Sequence, residues 1–140
     1  MIRLASEHDL TDIKRIANQN REFIGFVMKV ALMDAIQKKS LLVFEDLSGV
    51  VGFVHYHPRK DGWHTIHELA VAKNLHSNGV GQQLFDSVPL PIRLKTTEDN
   101  VKALGFYAKN GMTIVSVENG KKRKLTVLEK EKTNGAIKYE

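Results

Sequence analysis

Apolar residues recur along this chain in two rhythms, and the switches between them mark an alternation of strands and helices. Ile2 to Ala5 reads as a short strand. Ser6-x-x-Asp9 follows, resembling a capping box with Asp in place of the usual Glu or Gln. The helix it opens carries Leu10, Ile13, Ile16 and Ala17 on one face. A second helical stretch spans Phe23 to about Lys38, with Phe23, Phe26, Val27, Val30, Ala31, Met33, Ala35 and Ile36 at its apolar positions. Gly25 weakens its first turn and marks a potential break. Leu41 to Glu45 and Val50 to His57 are strands about the turn Asp46-Leu47-Ser48-Gly49. Another turn, Pro58 to Gly62, leads to a strand from Trp63 to Val71. Gly79 to Val88 is a short helix stopped by Pro89 and Pro91. Ile92 to Thr96 is a strand, and Asp99 to Lys109 a helix ended by the cap Asn110-Gly111. Met112 to Val117 and Arg123 to Leu128 flank Asn119-Gly120, a hairpin signal.

The order β-α-α-β-β-β-α-β-α-β-β predicts an α/β (α+β) fold, a mixed and mostly antiparallel sheet flanked by helices. At 140 residues the chain makes one domain. Residues 1–129 form it, and residues 130–140 read as a polar tail. The hydrophobic fraction of 42% and charged fraction of 26% are ordinary for a globular protein. No apolar run is long enough to span a bilayer. The N-terminal stretch turns charged at once, so a cytoplasmic location is expected. Cysteine is absent, which removes a Cys nucleophile, thiolate metal sites and disulfides. With 21 Lys+Arg against 16 Asp+Glu the net charge is +5, which favours anionic partners. Much of the excess lies in Lys121-Lys122-Arg123-Lys124 and the tail.

Two motifs carry chemistry. In His76-Ser77-Asn78-Gly79-Val80-Gly81-Gln82, glycines feed the first turn of a helix directly after a strand. The first N–H groups of a helix lack internal partners and lie at its positive end, so such a loop suits a phosphate-bearing group. Glycine at 79 and 81 lets an oxygen approach the main chain. Downstream, Asn100-x-x-Ala103-x-x-x-Tyr107-x-x-x-Gly111-Met112 follows a strand. Together and in this order, from Ile2 to about Leu128, the motifs resemble the GNAT superfamily of acyl-CoA-dependent N-acetyltransferases. Its loop reads Arg/Gln-x-x-Gly-x-Gly/Ala. His76 stands here for the family's Arg or Gln, and Ser77 and Asn78 for its frequent Gly and Lys/Arg. The helix after the loop is shorter than the family's.

The resemblance implies that strands Ile66–Val71 and Ile92–Thr96 splay apart and hold the pantetheine arm of acetyl-CoA between them. Leu69, Ala70 and Val71 would contribute through backbone groups, with the Val71 N–H near the thioester carbonyl as an oxyanion donor. Residues 77–82 would hold the pyrophosphate, aided by His76. Asn100 would bind the pantetheine amide and also suits a helix N-cap. Tyr107, two helical turns on, would protonate the departing thiolate. The acetyl group would pass directly to a primary amine, on a protein N-terminus, a lysine or a small molecule.

The amine needs a base. His67 has a suitable intrinsic pKa; Glu68 is the alternative, though it points away from His67 unless a bulge intervenes, and Lys95 is a third candidate. His67-Glu68-Leu69-Ala70-Val71 begins like the zinc motif HExxH, but Val71 replaces the second His on a strand, so no zinc site is expected. His55, His57, His64 and His67 share a hairpin without the carboxylates or thiolates that a metal cluster calls for. Two other readings compete with acetyl transfer. A nucleic-acid-directed role would use the basic balance, although no aromatics interleave with the basic run. A regulatory module would bind CoA without catalysis. Acceptor and oligomeric state, monomer or dimer, stay open.

Overall fold

The computed structural model describes residues 1–76 and 78–132. Strands β1 (Ile2–Leu4), β2 (Leu41–Asp46), β3 (Gly49–Pro58), β4 (His64–Val71), β5 (Ile92–Thr97), β6 (Thr113–Asn119) and β7 (Lys124–Lys130) form one sheet. Its order is β1-β2-β3-β4-β5-β7-β6, and only the β4–β5 pair is parallel. Helices α1 (Leu10–Gln19), α2 (Arg21–Ile24), α3 (Lys29–Gln37), α4 (Val80–Asp86) and α5 (Val101–Lys109) complete the fold. The mixed, mostly antiparallel architecture is the one the hydrophobic pattern predicts.

The core lies where β3 crosses the middle of the sheet. Phe53 and Val54 are fully buried, on opposite faces of the strand. Ile13 and Ile16 of α1 and Leu84 and Phe85 of α4 are buried as well. Burial of each such side chain contributes roughly 1.5–3 kcal/mol. Gly52 is needed at this crossing because an added Cβ would stand 2.9 Å from Leu84 Cδ1.

Three local expectations change. The stretch from Phe23 to Lys38 is two helices, because Gly25 adopts φ 76°, ψ −166° and the chain runs extended into α3. Phe26 and Val30, read as apolar helix positions, are consequently exposed, while Val27 between the helices and Leu32 and Ala35 of α3 turn into the core. The β6–β7 connection is a four-residue turn closed by Gly120 N–H donating to Arg123 O, with Asn119 paired to Lys124. The basic run therefore forms the turn itself. Strand β7 reaches Lys130; the expected tail falls mostly on residues 133–140, outside the described residues.

The Ser6–Asp9 cap is present and tied to the sheet. The Ser6 N–H donates to Asp9 Oδ2 at 2.8 Å, and Arg3 grips both Asp9 oxygens at 2.8 and 2.9 Å. Hydrogen bonds from Arg3 lower the Asp9 pKa below 3.8, against the opposing effect of burial. A depressed carboxylate stabilises the fold fully above its unfolded pKa and loses that contribution as pH falls through the folded one. Asp9→Asn is expected to cost roughly 1–3 kcal/mol at neutral pH in urea unfolding. The two proteins should converge in acid, and equal stability at neutral pH would contradict the role of this clamp.

Candidate active site

Strands β4 and β5 pair only at His64–Ile92 and Thr65–Arg93. Beyond that point β4 stays with β3 as far as Val71 and β5 stays with β7 as far as Thr97, so the two part like a V. A register shift in the β3–β4 ladder lies at the parting point. Tyr56 faces Ile66 and His55 faces Glu68, which leaves His67 as the extra residue of a bulge. An extra residue bends its strand and increases the twist, turning β4 away from β5.

Peptide groups of successive strand residues face opposite sides. The Ala72 N–H donates to Val51 O of β3 at 2.8 Å. By alternation Ala70 and Glu68 also turn toward β3, while Leu69 and Val71 turn into the gap. Of the three backbone contributors expected from the sequence, Ala70 thus lines the cleft with its N–H turned toward β3. The Val71 carbonyl accepts from Asn20 Nδ2 and His76 Nε2, both at 2.9 Å, which fixes that peptide plane.

The gap opens into a cleft of about 530 Å³, walled by β4, β5, α2 and α5. That is within the range of small-molecule sites. His67, Glu68, Leu69, Ala70, Val71, His76, Gly81, Asn100 and Tyr107 all line it. Gly79, in the left-handed conformation (φ 80°), is the N-cap of α4. The first helical bond there is Gln83 N–H to Gly79 O, so the N–H groups of Val80, Gly81 and Gln82 have no partner within the helix. The Val80 side chain is in the core, and Gln82 Nε2 donates to Asp86, so both serve the loop through backbone alone. Asn78 is exposed, and Ser77 lies outside the described residues.

His76 is committed elsewhere. Its Nε2 donates to Val71 O, and its Nδ1 accepts from Lys102 Nζ at 3.0 Å, which makes it the neutral Nε2–H tautomer. Both ring nitrogens are therefore used inside the protein. Lys102, on the cleft wall from α5, brings the positive charge to this end.

Asn100 caps α5, accepting from Ala103 N–H at 3.2 Å, and its Nδ2 reaches Phe23 O and Thr96 Oγ1, each at 3.3 Å. Tyr107 is 9% exposed and stands against Phe85 and Phe106. Burial raises its pKa well above 10, so the phenol stays protonated at physiological pH.

The bulge brings both candidate bases to the cleft. Glu68 accepts from or pairs with His55 Nδ1 at 3.1 Å, and the His55 and His57 rings lie 5.0 and 6.2 Å from that of His67. The His67 pKa is lowered below 6.5 by burial, then by His55 and His57, with Glu68 opposing. Lys95 Nζ donates to Glu118 at 2.8 Å and is engaged there, which disfavours it as a base. His64 stands apart, hydrogen bonded to Pro91 O, and among the described residues no three ligating side chains form a metal site. No described helix is long and apolar enough to cross a membrane.

Sequence reasoning missed Asn20, Lys102 and the positioning role of His55. Asn20 and His55 arrive from other elements, and Lys102, although inside the Asn100–Tyr107 stretch, is at a position the motif leaves unspecified.

Residues 37–113, more than half of the chain, match the family model described as "Acetyltransferase (GNAT) domain". No curated protein sequence matches the chain. Among solved structures, Ard1 from Thermoplasma volcanium superposes with a TM-score of 0.82 at 23% identity, over 93% of this chain and 95% of that one. A ribosomal-protein-alanine N-acetyltransferase from Brucella melitensis gives 0.72 at 17%, over 94% and 99%. Arabidopsis thaliana Naa50, in complex with the bisubstrate analogue CoA-Ac-MVNAL, gives 0.72 at 19%, over 94% and 97%. At these identities the likeness is one of fold.

By NMR titration the His67 ring is expected to stay neutral down to a midpoint below 6.5. His55→Gln should raise that midpoint by removing a neighbouring positive charge. A midpoint at or above 6.5 in the wild type would contradict the crowding described here.

Proposed function

Since the chain belongs to the GNAT acetyltransferase family, we propose that it transfers acetyl from acetyl-CoA directly to a primary amine within a ternary complex. The observation that carries this reading is the parted β4–β5 gap, whose cleft gathers the Leu69 and Val71 peptide groups, the α4 N-terminal turn and Tyr107. The donor supplies an activated thioester. The chain's part is to hold it, to stabilise charge and to move protons.

The N–H groups of Val80, Gly81 and Gln82 receive the diphosphate, and Lys102 supplies the side-chain charge that His76 does not. Leu69 and Val71 extend main-chain hydrogen bonds to the pantetheine arm, as a β-strand does to a neighbour. The Val71 N–H, on the side of β4 turned away from β3, is the donor for the oxygen on which negative charge develops. A base at the bulge takes the amine proton. His67, neutral at physiological pH, is the first choice; Glu68, held by His55, is the second. The Tyr107 hydroxyl protonates the departing thiolate and regains its proton from solvent.

The fold neighbours include one named a ribosomal-protein-alanine N-acetyltransferase and one in complex with the bisubstrate analogue CoA-Ac-MVNAL, which supports an amine acceptor here. The nucleic-acid reading has less support: Arg123 of the basic turn lines this cleft and pairs with Asp99 at 3.4 Å.

Tyr107→Phe is expected to lower kcat about 10²–10⁴-fold, with acetyl-CoA affinity within about twofold by calorimetry. Unchanged kcat would remove the proposed acid. Release of free thiol only when an amine is present separates catalysis from passive cofactor binding.

The base is identified by kcat/KM against pH. The wild type should hold its rate down to the depressed His67 pKa and lose it below. Disappearance of that limb in Glu68→Gln but not His67→Gln would transfer the role to Glu68. Lys102→Met is expected to weaken acetyl-CoA about tenfold and flatten the salt dependence of binding. Unchanged affinity would deny Lys102 a place at the diphosphate.

A further inference from the structure

A second depression adjoins the cleft on the sheet face that carries His57, Thr65 and Arg93. It shares Ile66, His67, Leu94 and Lys95 with the cleft, so the two are continuous where β4 and β5 part. Every formally charged residue on its wall is basic: Arg59, Lys60, Arg93 and Lys95, beside the two histidines. Asp61, Glu129 and Glu118 pair three of these cations but are not part of the wall.

Arg93 is the fixed member. Its Nε donates to Glu129 Oε2 at 2.6 Å, and its guanidinium lies over Trp63 at 4.7 Å from the ring centroid. Its side chain nevertheless stays 26% exposed. A guanidinium anchored at Nε and on one face keeps its terminal nitrogens for a second planar anion. Because it is already held, little rotamer freedom is lost when that anion binds. Lys60 makes no salt bridge to a described residue and adds a charge on the same rim.

Resting on the acetyl-transfer reading above, we propose that the acceptor amine belongs to a molecule bearing a carboxylate. The carboxylate seats against Arg93 and Lys60 in the second depression, and the amine reaches past His67 into the cleft. One end of the acceptor is thereby recognised by charge while its other end meets the base. An amine lacking the anion leaves the basic wall without a partner.

The test uses ω-amino acids of graded length beside their amides, so that each pair shares its amine and differs in the anion. The carboxylate member of at least one pair is expected to show kcat/KM about tenfold higher, carried mainly by KM. Arg93→Gln should bring that ratio close to one. Lys60→Gln, on an exposed turn where the fold is little at risk, should reduce it. Calorimetric affinity for acetyl-CoA should be the same in both variants. Saturation-transfer NMR with CoA present reads the same preference as binding, without turnover. Equal or reversed preference in every pair, with cofactor binding intact, overturns this inference alone. Weakened acetyl-CoA binding in Arg93→Gln also overturns it, since the wall would then serve the cofactor. Failure of the wild type to bind acetyl-CoA overturns the acetyl-transfer reading and this inference with it.

Discussion

Two parallel strands that keep their outer partners but abandon each other leave peptide groups with nothing to bond. A folded chain tolerates this only where something else can satisfy them. Here β4 and β5 share two residue pairs and then diverge, and the extra residue His67 in the β3–β4 ladder accounts for the divergence. The same bulge sets up the rest of the site. It turns Glu68 to face His55, brings His67 to the rim of the cleft, and leaves Leu69 and Val71 directed into the opening. Asn20, His76 and Lys102 then form a short relay from the end of α1 through the loop to α5, which holds the Val71 carbonyl.

Burial acts on the two ends of the cleft in opposite senses, because it always disfavours the charged form. At Tyr107 it keeps the phenol protonated, and at His67 it keeps the imidazole neutral. One group thus keeps its proton and the other stays without its second at the same pH. Positive charge reaches the cleft on more exposed side chains, Lys102 at the loop end and Lys95 where β4 and β5 part, with Arg93 in the adjoining depression.

Much of this was legible in the sequence, and for identifiable reasons. Glycines at 79 and 81 after an apolar strand, and Asn100 two helical turns before Tyr107, are local spacings that survive folding unchanged. Gly25 also gave its break away. The bulge at His67 was less accessible, since it is a mismatch between two strands and neither strand's own pattern records it; the sequence showed only that Glu68 would need one to join the site. The Lys102–His76 bond joins elements 26 residues apart, with no periodicity to announce it. For that reason His76 read as a weakened cationic ligand, whereas the structure uses it as a bracket and draws the charge from a neighbouring helix. Phe26 and Val30 misled in a similar way, because a helical face means nothing once the helix has been cut.

The central claim is that acetyl-CoA completes the hydrogen bonding of β4 where β5 has left it. Amide hydrogen exchange at Leu69, Ala70 and Val71, with and without acetyl-CoA, tests this most directly. The account predicts that Ala70, already bonded to β3, is protected throughout, while Leu69 and Val71 exchange readily alone and slow sharply at saturating acetyl-CoA. Unaltered exchange at Leu69 and Val71 in the saturated protein would contradict it.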